Sequence, residues 1–333
     1  MTIYTIYYIL TALLLVAETG VKAEKSSGFN SQPKVNEFSF FFGWELLKLS
    51  NMTNPEIKQY FDFHNENMRL LKIGFNNIRD QLKDLYKTKN NSGEYIFSFN
   101  ENTDEKNDLR KIEKTLSRIL SGIQVSWAEE SIKRLLYENN LLNDIQRTYL
   151  LNQKALNQRW YKTLKIVYSI AYNIVPTDDD ICETVTLRKN ISDSDDPVNK
   201  YVNLKQIITN QLTPNFSIRN KVQHGEWVYA FTGRGSSEFS QDLTDKLHKE
   251  NIVTTMSRFT IVNALYQMIV DIGRFKSNNF ALDSSTTPFE YFYSSYINKI
   301  YFEINKIDNS NIEKYIINLI ERERKGIYYR TNN

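Results

Sequence analysis

Apolar residues recur along most of this chain at intervals of three and four, the spacing that gathers side chains on one face of an α-helix. Between Pro55 and Leu85, Ile57, Phe61, Met68, Leu71, Phe75, Ile78, Leu82 and Leu85 share such a face. Asn54-Pro55 supplies its natural start, because proline is preorganised for a first helical turn. A second stripe runs through Leu109, Ile112, Leu116, Ile119 and Ile123. A third, around residues 144–175, aligns Leu156, Trp160, Leu164, Val167, Ala171 and Ile174. A fourth, around 252–273, aligns Ile252, Met256, Phe259, Val262, Tyr266 and Ile269, and a last helical region covers Phe289–Lys306 and Ile312–Lys325. All of these read as core-facing stripes. The pattern predicts an all-α fold over residues 37–327, with at most a short extended piece at Tyr95–Phe99.

Three polar stretches interrupt the helices. Residues 24–36 read as a disordered leader, residues 87–107 as a connection between two helices, and residues 176–200 as a long loop. The loop carries Asp178–Asp180 and Asp193, Asp195 and Asp196, but lacks the glycine and terminal glutamate of a calcium loop, so it reads as solvated. Ahead of them, the apolar run Ile6–Ala17 is too short to span a bilayer, and Val21 and Ala23 give the small-residue pattern of a cleavage site. Residues 1–23 are therefore expected to be a signal peptide, leaving a secreted chain that starts near Glu24 and has no membrane span. A retained leader would imply a cytoplasmic protein. Cys182 is the single cysteine, so no intramolecular disulfide can form. Sequons at Asn51, Asn90, Asn190 and Asn215 matter only on a glycosylating route.

Composition narrows the functional classes. Lys and Arg total 42 against 39 Asp and Glu, a net charge of +3, which is too balanced for a polybasic binder, so any nucleic-acid contact must be local. Eleven Gly and six Pro are few for a turn-rich β-sandwich. With three histidines, His64, His224 and His248, and one cysteine, no zinc site is expected, and neither a Walker loop nor a Gly-rich dinucleotide turn occurs. No cofactor is expected. His64 and His248 read as surface residues.

The chemically informative stretch is PNFSIRNKVQHGEWVYAFTGRG, residues 214–235. Pro214 and Ser217 predict the start of a short helix and Gly225 its end. Asn220 and His224, four apart, share a face, while Arg219 lies about 7.5 Å along the axis from His224 and some 140° around it. These residue types suit phosphodiester chemistry on RNA. A neutral imidazole can take the 2′-hydroxyl proton and an imidazolium can protonate the departing oxygen. A guanidinium can grip the phosphate and stabilise developing charge, and Asn220 can orient the imidazole or bind ribose. Around them Lys221, Trp227, Tyr229 and Arg234 are candidate RNA contacts, with Trp227, Tyr229 and Phe231 alternating as a stacking platform or plugging into the bundle as a short extended loop.

Arg219-Asn220-Lys221-Val222-Gln223-His224-Gly225 resembles the signature of the HEPN superfamily, an arginine followed four to six residues later by a histidine. The resemblance is specific over residues 217–235. It implies an up-and-down helical bundle with additional helices, commonly dimeric, and a metal-independent endoribonuclease in which Arg219, Asn220 and His224 form the catalytic set. A secretory leader on such an enzyme suggests an exported toxin or effector, with RNA as substrate and an antitoxin or host protein as partner. The alternative is a secreted all-α interaction protein that keeps a non-catalytic HEPN-like fold.

Overall fold

The computed structural model describes residues 52–97, 104–172, 197–232, 238–277 and 288–326. The expected signal peptide at 1–23, the expected leader at 24–36, residues 176–196 with Cys182 and both Asp clusters, Ile174, Arg234, and the sequons Asn51 and Asn190 lie outside them. The described protein is all-α apart from one antiparallel pair of two-residue strands. Helices α1 (Asn54–Tyr86) and α2 (Asp104–Leu136) pack together. Short α3 (Asp144–Leu151) and α4 (Leu156–Tyr172) follow, then α5 (Pro197–Ile207), a π turn (Ile208–Leu212) and α6 (Thr213–Gln223). Strands β1 (Phe231–Thr232) and β2 (Glu238–Phe239), α7 (Gln241–His248), α8 (Ile252–Ser277), α9 (Pro288–Asp308) and α10 (Ile312–Arg324) complete the order.

Local chemistry sets many of these boundaries. Thr53 caps α1 in a reciprocal box with Glu56, and Asn143 does the same for α3 with Gln146. The stretch around 144–175, where the stripe alone implied one helix, holds two, broken at residues 152–155. Residues 104–107 belong to α2 and 197–200 to α5, so both loops are shorter at their C-terminal ends than the polar sequence implied. Of the extended piece expected at Tyr95–Phe99, the described part, residues 95–97, forms a single bridge from Tyr95 to Lys89.

Helices α2 and α8 carry the main core. α2 packs on α1, α6 and α8, and α8 also packs on α4 and α9. Ile261, Val262, Leu265, Met268, Ile269 and Ile272 are all buried, so α8 is enclosed on more than one side, beyond the single stripe in the sequence. On α2 the buried set extends from Leu120 to Leu136, while Ile112, counted in the stripe, is exposed. Gly273 lets α8 approach the α2–α3 corner so closely that a Cβ there would overlap the Leu141 side chain.

Polar groups drawn inside are tied across elements. Arg147 donates from Nε to the Leu136 carbonyl (2.9 Å), from Nη2 to the Leu142 carbonyl (3.1 Å) and pairs with Asp144, closing the corner between α2 and α3. Glu250 is buried, accepts from the Ser121 hydroxyl (2.7 Å) and pairs with Arg258. Trp127 Nε1 donates to Asn263 Oδ1 (2.9 Å), joining α2 to α8. Such buried groups demand partners, and these fix how the helices meet.

The motif helix differs most from expectation. Residues 197–223 are helical without a break, so Pro214 does not start a helix, and Ser217 is an exposed mid-helix residue rather than an N-cap. Proline lacks an N–H and its ring crowds the carbonyl four residues back. The turn before it is correspondingly wide, with the Thr213 N–H bonded to the Ile208 carbonyl. At the other end the expectation holds. Gly225 takes φ 81°, its N–H bonds the Val222 carbonyl (3.2 Å) and the Glu226 N–H bonds the Lys221 carbonyl (2.9 Å), the pair of bonds that closes a helix through a left-handed residue.

Candidate functional site

Helix α6 is held by a small apolar cluster of Ile218, Val222 and Leu247, with half-buried Trp227 against it. This anchoring turns Arg219 toward α2, where Nη2 lies 3.2 Å from Glu129 Oε2. Glu129 also meets Lys133 Nζ (3.0 Å), so its charge is shared between two cations. Arg219 and Asn220 line a cleft of about 400 Å³ together with Glu129, Lys154, Asn157 and Arg159. Three cations therefore face one carboxylate across a single concavity.

Arg159 enters from α4. Its Nη2 donates to the Gln153 carbonyl (3.0 Å), while burial pushes its pKa down against the opposing pull of Glu129 and Glu130; a guanidinium remains a cation throughout. The Nε groups of Arg159 and Arg219 are both buried without a hydrogen-bond partner among the described residues. A buried guanidinium N–H without an acceptor is costly, and these two, closed to solvent, meet an oxyanion in the cleft only after the side chains shift.

His224 is placed differently. It caps α6, its backbone N–H bonded to the Asn220 carbonyl (3.1 Å), and its side chain is exposed and absent from the lining of the cleft. Within one chain, then, Arg219 and Asn220 share a concavity and the imidazole does not share it. The cause is the angular offset between positions 219 and 224, which the helix keeps to its end.

The other candidates separate as well. Lys221 is engaged with Glu226 (3.3 Å) and with the Phe231 carbonyl, and Glu226 accepts the Phe231 N–H (2.6 Å), so this lysine ties the following loop to α6. The aromatic residues do not form one platform. Residues 227–229 bend rather than extend, so Trp227 turns into the apolar cluster while Tyr229 is 58% exposed and meets Phe239 edge-on at 6.3 Å. His248 Nε2 lies 2.8 Å from the Val228 carbonyl, which requires the proton on Nε2, and so holds the same loop from α7.

His64 is not the expected surface residue. Half-buried, it pairs through Nδ1 with Glu130 Oε1 (2.9 Å) and stacks on Tyr137. Burial pushes Glu130 up, but His64, Lys133 and Asn67 outweigh it and hold the carboxyl below its usual range. Sequence reasoning missed Lys154, Arg159 and Glu129 at the cleft because each lies some sixty to ninety positions from Arg219 and carries no local signature. Asn215 is buried, which withdraws its sequon in the folded protein, while Asn90 is exposed in the α1–α2 connection. Among the described residues no His, Cys, Asp and Glu cluster has the form of a metal site, and no helix is long and apolar enough to cross a membrane. No protein-family model matches this chain, and no curated protein or solved structure matches it either.

Proposed function

We propose that this chain is an RNA-binding helical protein of HEPN-like design, in which Arg219, Arg159 and Lys154 hold backbone phosphates and Asn220, at the exposed edge of the cleft, meets the ribose. The observation that carries this reading is the convergence of Lys154, Arg159 and Arg219 on one cleft with a single carboxylate, Glu129, among its described lining residues. A phosphate there competes with Glu129 for Arg219, and Lys133 remains to neutralise the displaced carboxylate. Contacts of this kind position an RNA backbone without reading its sequence.

Metal-independent cleavage is the second reading, favoured by the exposure of His224, whose ring makes no hydrogen bond or ion pair among the described residues. One chain brings no imidazole to its own cleft. A two-fold dimer places the same patch on both partners and offers each cleft the partner copy's imidazole. Residues 1–23 fit the same picture as the leader of an exported effector.

Purified chain is titrated with single-stranded RNA at low salt in EDTA, and cleavage is followed in the same samples. Binding should weaken with a log–log salt slope of about 0.7 per phosphate held, and Arg219→Gln should lower affinity about tenfold. Binding without cleavage supports the first reading. Products with 2′,3′-cyclic phosphate ends that vanish in His224→Ala establish the second. No binding at low salt sinks both.

A further inference from the structure

A larger pocket, about 590 Å³, opens between α3, α4 and α5 and shares no lining residue with the Arg219 cleft. Its α4 wall is a second stripe of that helix, distinct from the core stripe: Tyr161, Lys162, Lys165 and Ser169 point into it. Tyr149 comes from α3 and Lys205 from α5. Three ammonium groups thus meet at one concavity with no Asp or Glu in its lining among the described residues.

Two of these cations are held in place by aromatic rings. Lys162 Nζ lies 5.1 Å from the Tyr149 ring centre and donates to Gln153 Oε1 (2.7 Å), a neutral acceptor that leaves the charge in place. Lys205, nearly buried, sits with Nζ 5.0 Å from the Tyr161 ring centre. Cation–π contacts fix position while leaving ammonium N–H groups directed elsewhere. Lys165 and Lys205 have interactions of their own, so an arriving anion joins or exchanges with these rather than entering an empty socket. The volume lies within the roughly 300–1,000 Å³ range of small-molecule sites and is too large for a single orthophosphate.

We propose that this pocket binds a compact polyanion carrying several phosphate groups, with Lys162, Lys165 and Lys205 as its charge contacts and Tyr149 and Tyr161 as the walls that position two of them. A flexible chain of phosphates and a ring bearing several phosphate esters share this chemistry. The inference does not depend on the RNA reading, since the two sites have different residues.

Calorimetric titration of the full chain with inorganic tripolyphosphate, inositol hexakisphosphate and orthophosphate tests it. At least one polyphosphate should bind with a Kd below about 1 mM and at least about tenfold more tightly than orthophosphate. The stronger of the two identifies a chain or a ring as the source. Lys162→Gln should weaken binding about tenfold. Ser169→Asp, which sets a carboxylate among the ammonium groups, should abolish it while the far-ultraviolet circular dichroism stays unchanged. Arg219→Gln should leave polyphosphate binding intact, and Lys162→Gln should leave RNA binding intact. The proposal is overturned by absence of polyphosphate binding, by equal affinity for orthophosphate, by a folded Ser169→Asp chain that still binds, or by sensitivity that follows Arg219 instead of Lys162.

Discussion

Arg147 and Arg219 are both drawn into the protein, but their surroundings differ in kind. At the α2–α3 corner Arg147 gives Nε and Nη2 to two backbone carbonyls, pairs with Asp144 and lies over the Tyr137 ring at 5.5 Å. In the cleft Arg219 has, among the described residues, one carboxylate, shared with Lys133, and an Nε with no partner. A guanidinium whose donors are spent on backbone acts as a structural tie. One that is only partly served, in a concavity with other cations, retains capacity for a ligand.

Substitution should separate the two most sharply in stability. Arg147→Ala strands two carbonyls and a partly buried carboxylate and should cost about 3 kcal/mol or more, measured by denaturant unfolding. Close behind, Gly273→Ala forces α8 away from Leu141 and should cost about 1–3 kcal/mol. An unchanged unfolding midpoint would mean that the corner yields easily and is not the rigid member of the comparison. Arg219→Gln leaves Glu129 with Lys133 and should change stability by less than about 1 kcal/mol while it weakens RNA binding. A large loss of stability there would make Arg219 a second structural arginine.

The smallest effect is in pH. Glu130, beside the cleft residue Glu129, has its folded-state pKa lowered from the ordinary 4.5, so folding is favoured by its ionisation. Its contribution is complete above that value and is lost as pH falls through the lowered one. Acid unfolding of Glu130→Gln should lack this component, and a superimposable acid limb would show that the His64 pair adds nothing to stability.

How much of this was legible in the sequence depended on range. Asn54-Pro55 and Gly225 act within a few residues, and the helix ends they set were readable, although the capping role of Thr53 was not. The stripe of α1 was readable too, with Met68, Phe75, Ile78 and Leu82 all buried. What failed was local grammar overruled by tertiary fit. Pro214 and Ser217 together spell a helix start, yet burial of Ile208 and Leu212 in the main core and of Ile218 against Val222 and Leu247 keeps the chain helical through them. Arg219 and Asn220 were identifiable from their motif. Arg159 and Lys154 reach the cleft only through the packing of α4, and the pairing of His64 with Glu130 needed α1 and α2 brought together.

The wide turn at Ile208–Leu212 also has an arithmetic consequence. A π turn accommodates one residue more than the α-helical repeat, which sets everything downstream back by about 100° in phase. Upstream of it the rod lies along α4; downstream it lies along α2. One continuous helix thus runs in two phases and serves two neighbours, and the second phase is the one that aims Arg219 at Glu129. Excising a single exposed residue such as Asn210 would restore one phase throughout, so that the apolar anchors Ile218 and Val222 and the cleft arginine could no longer be seated together.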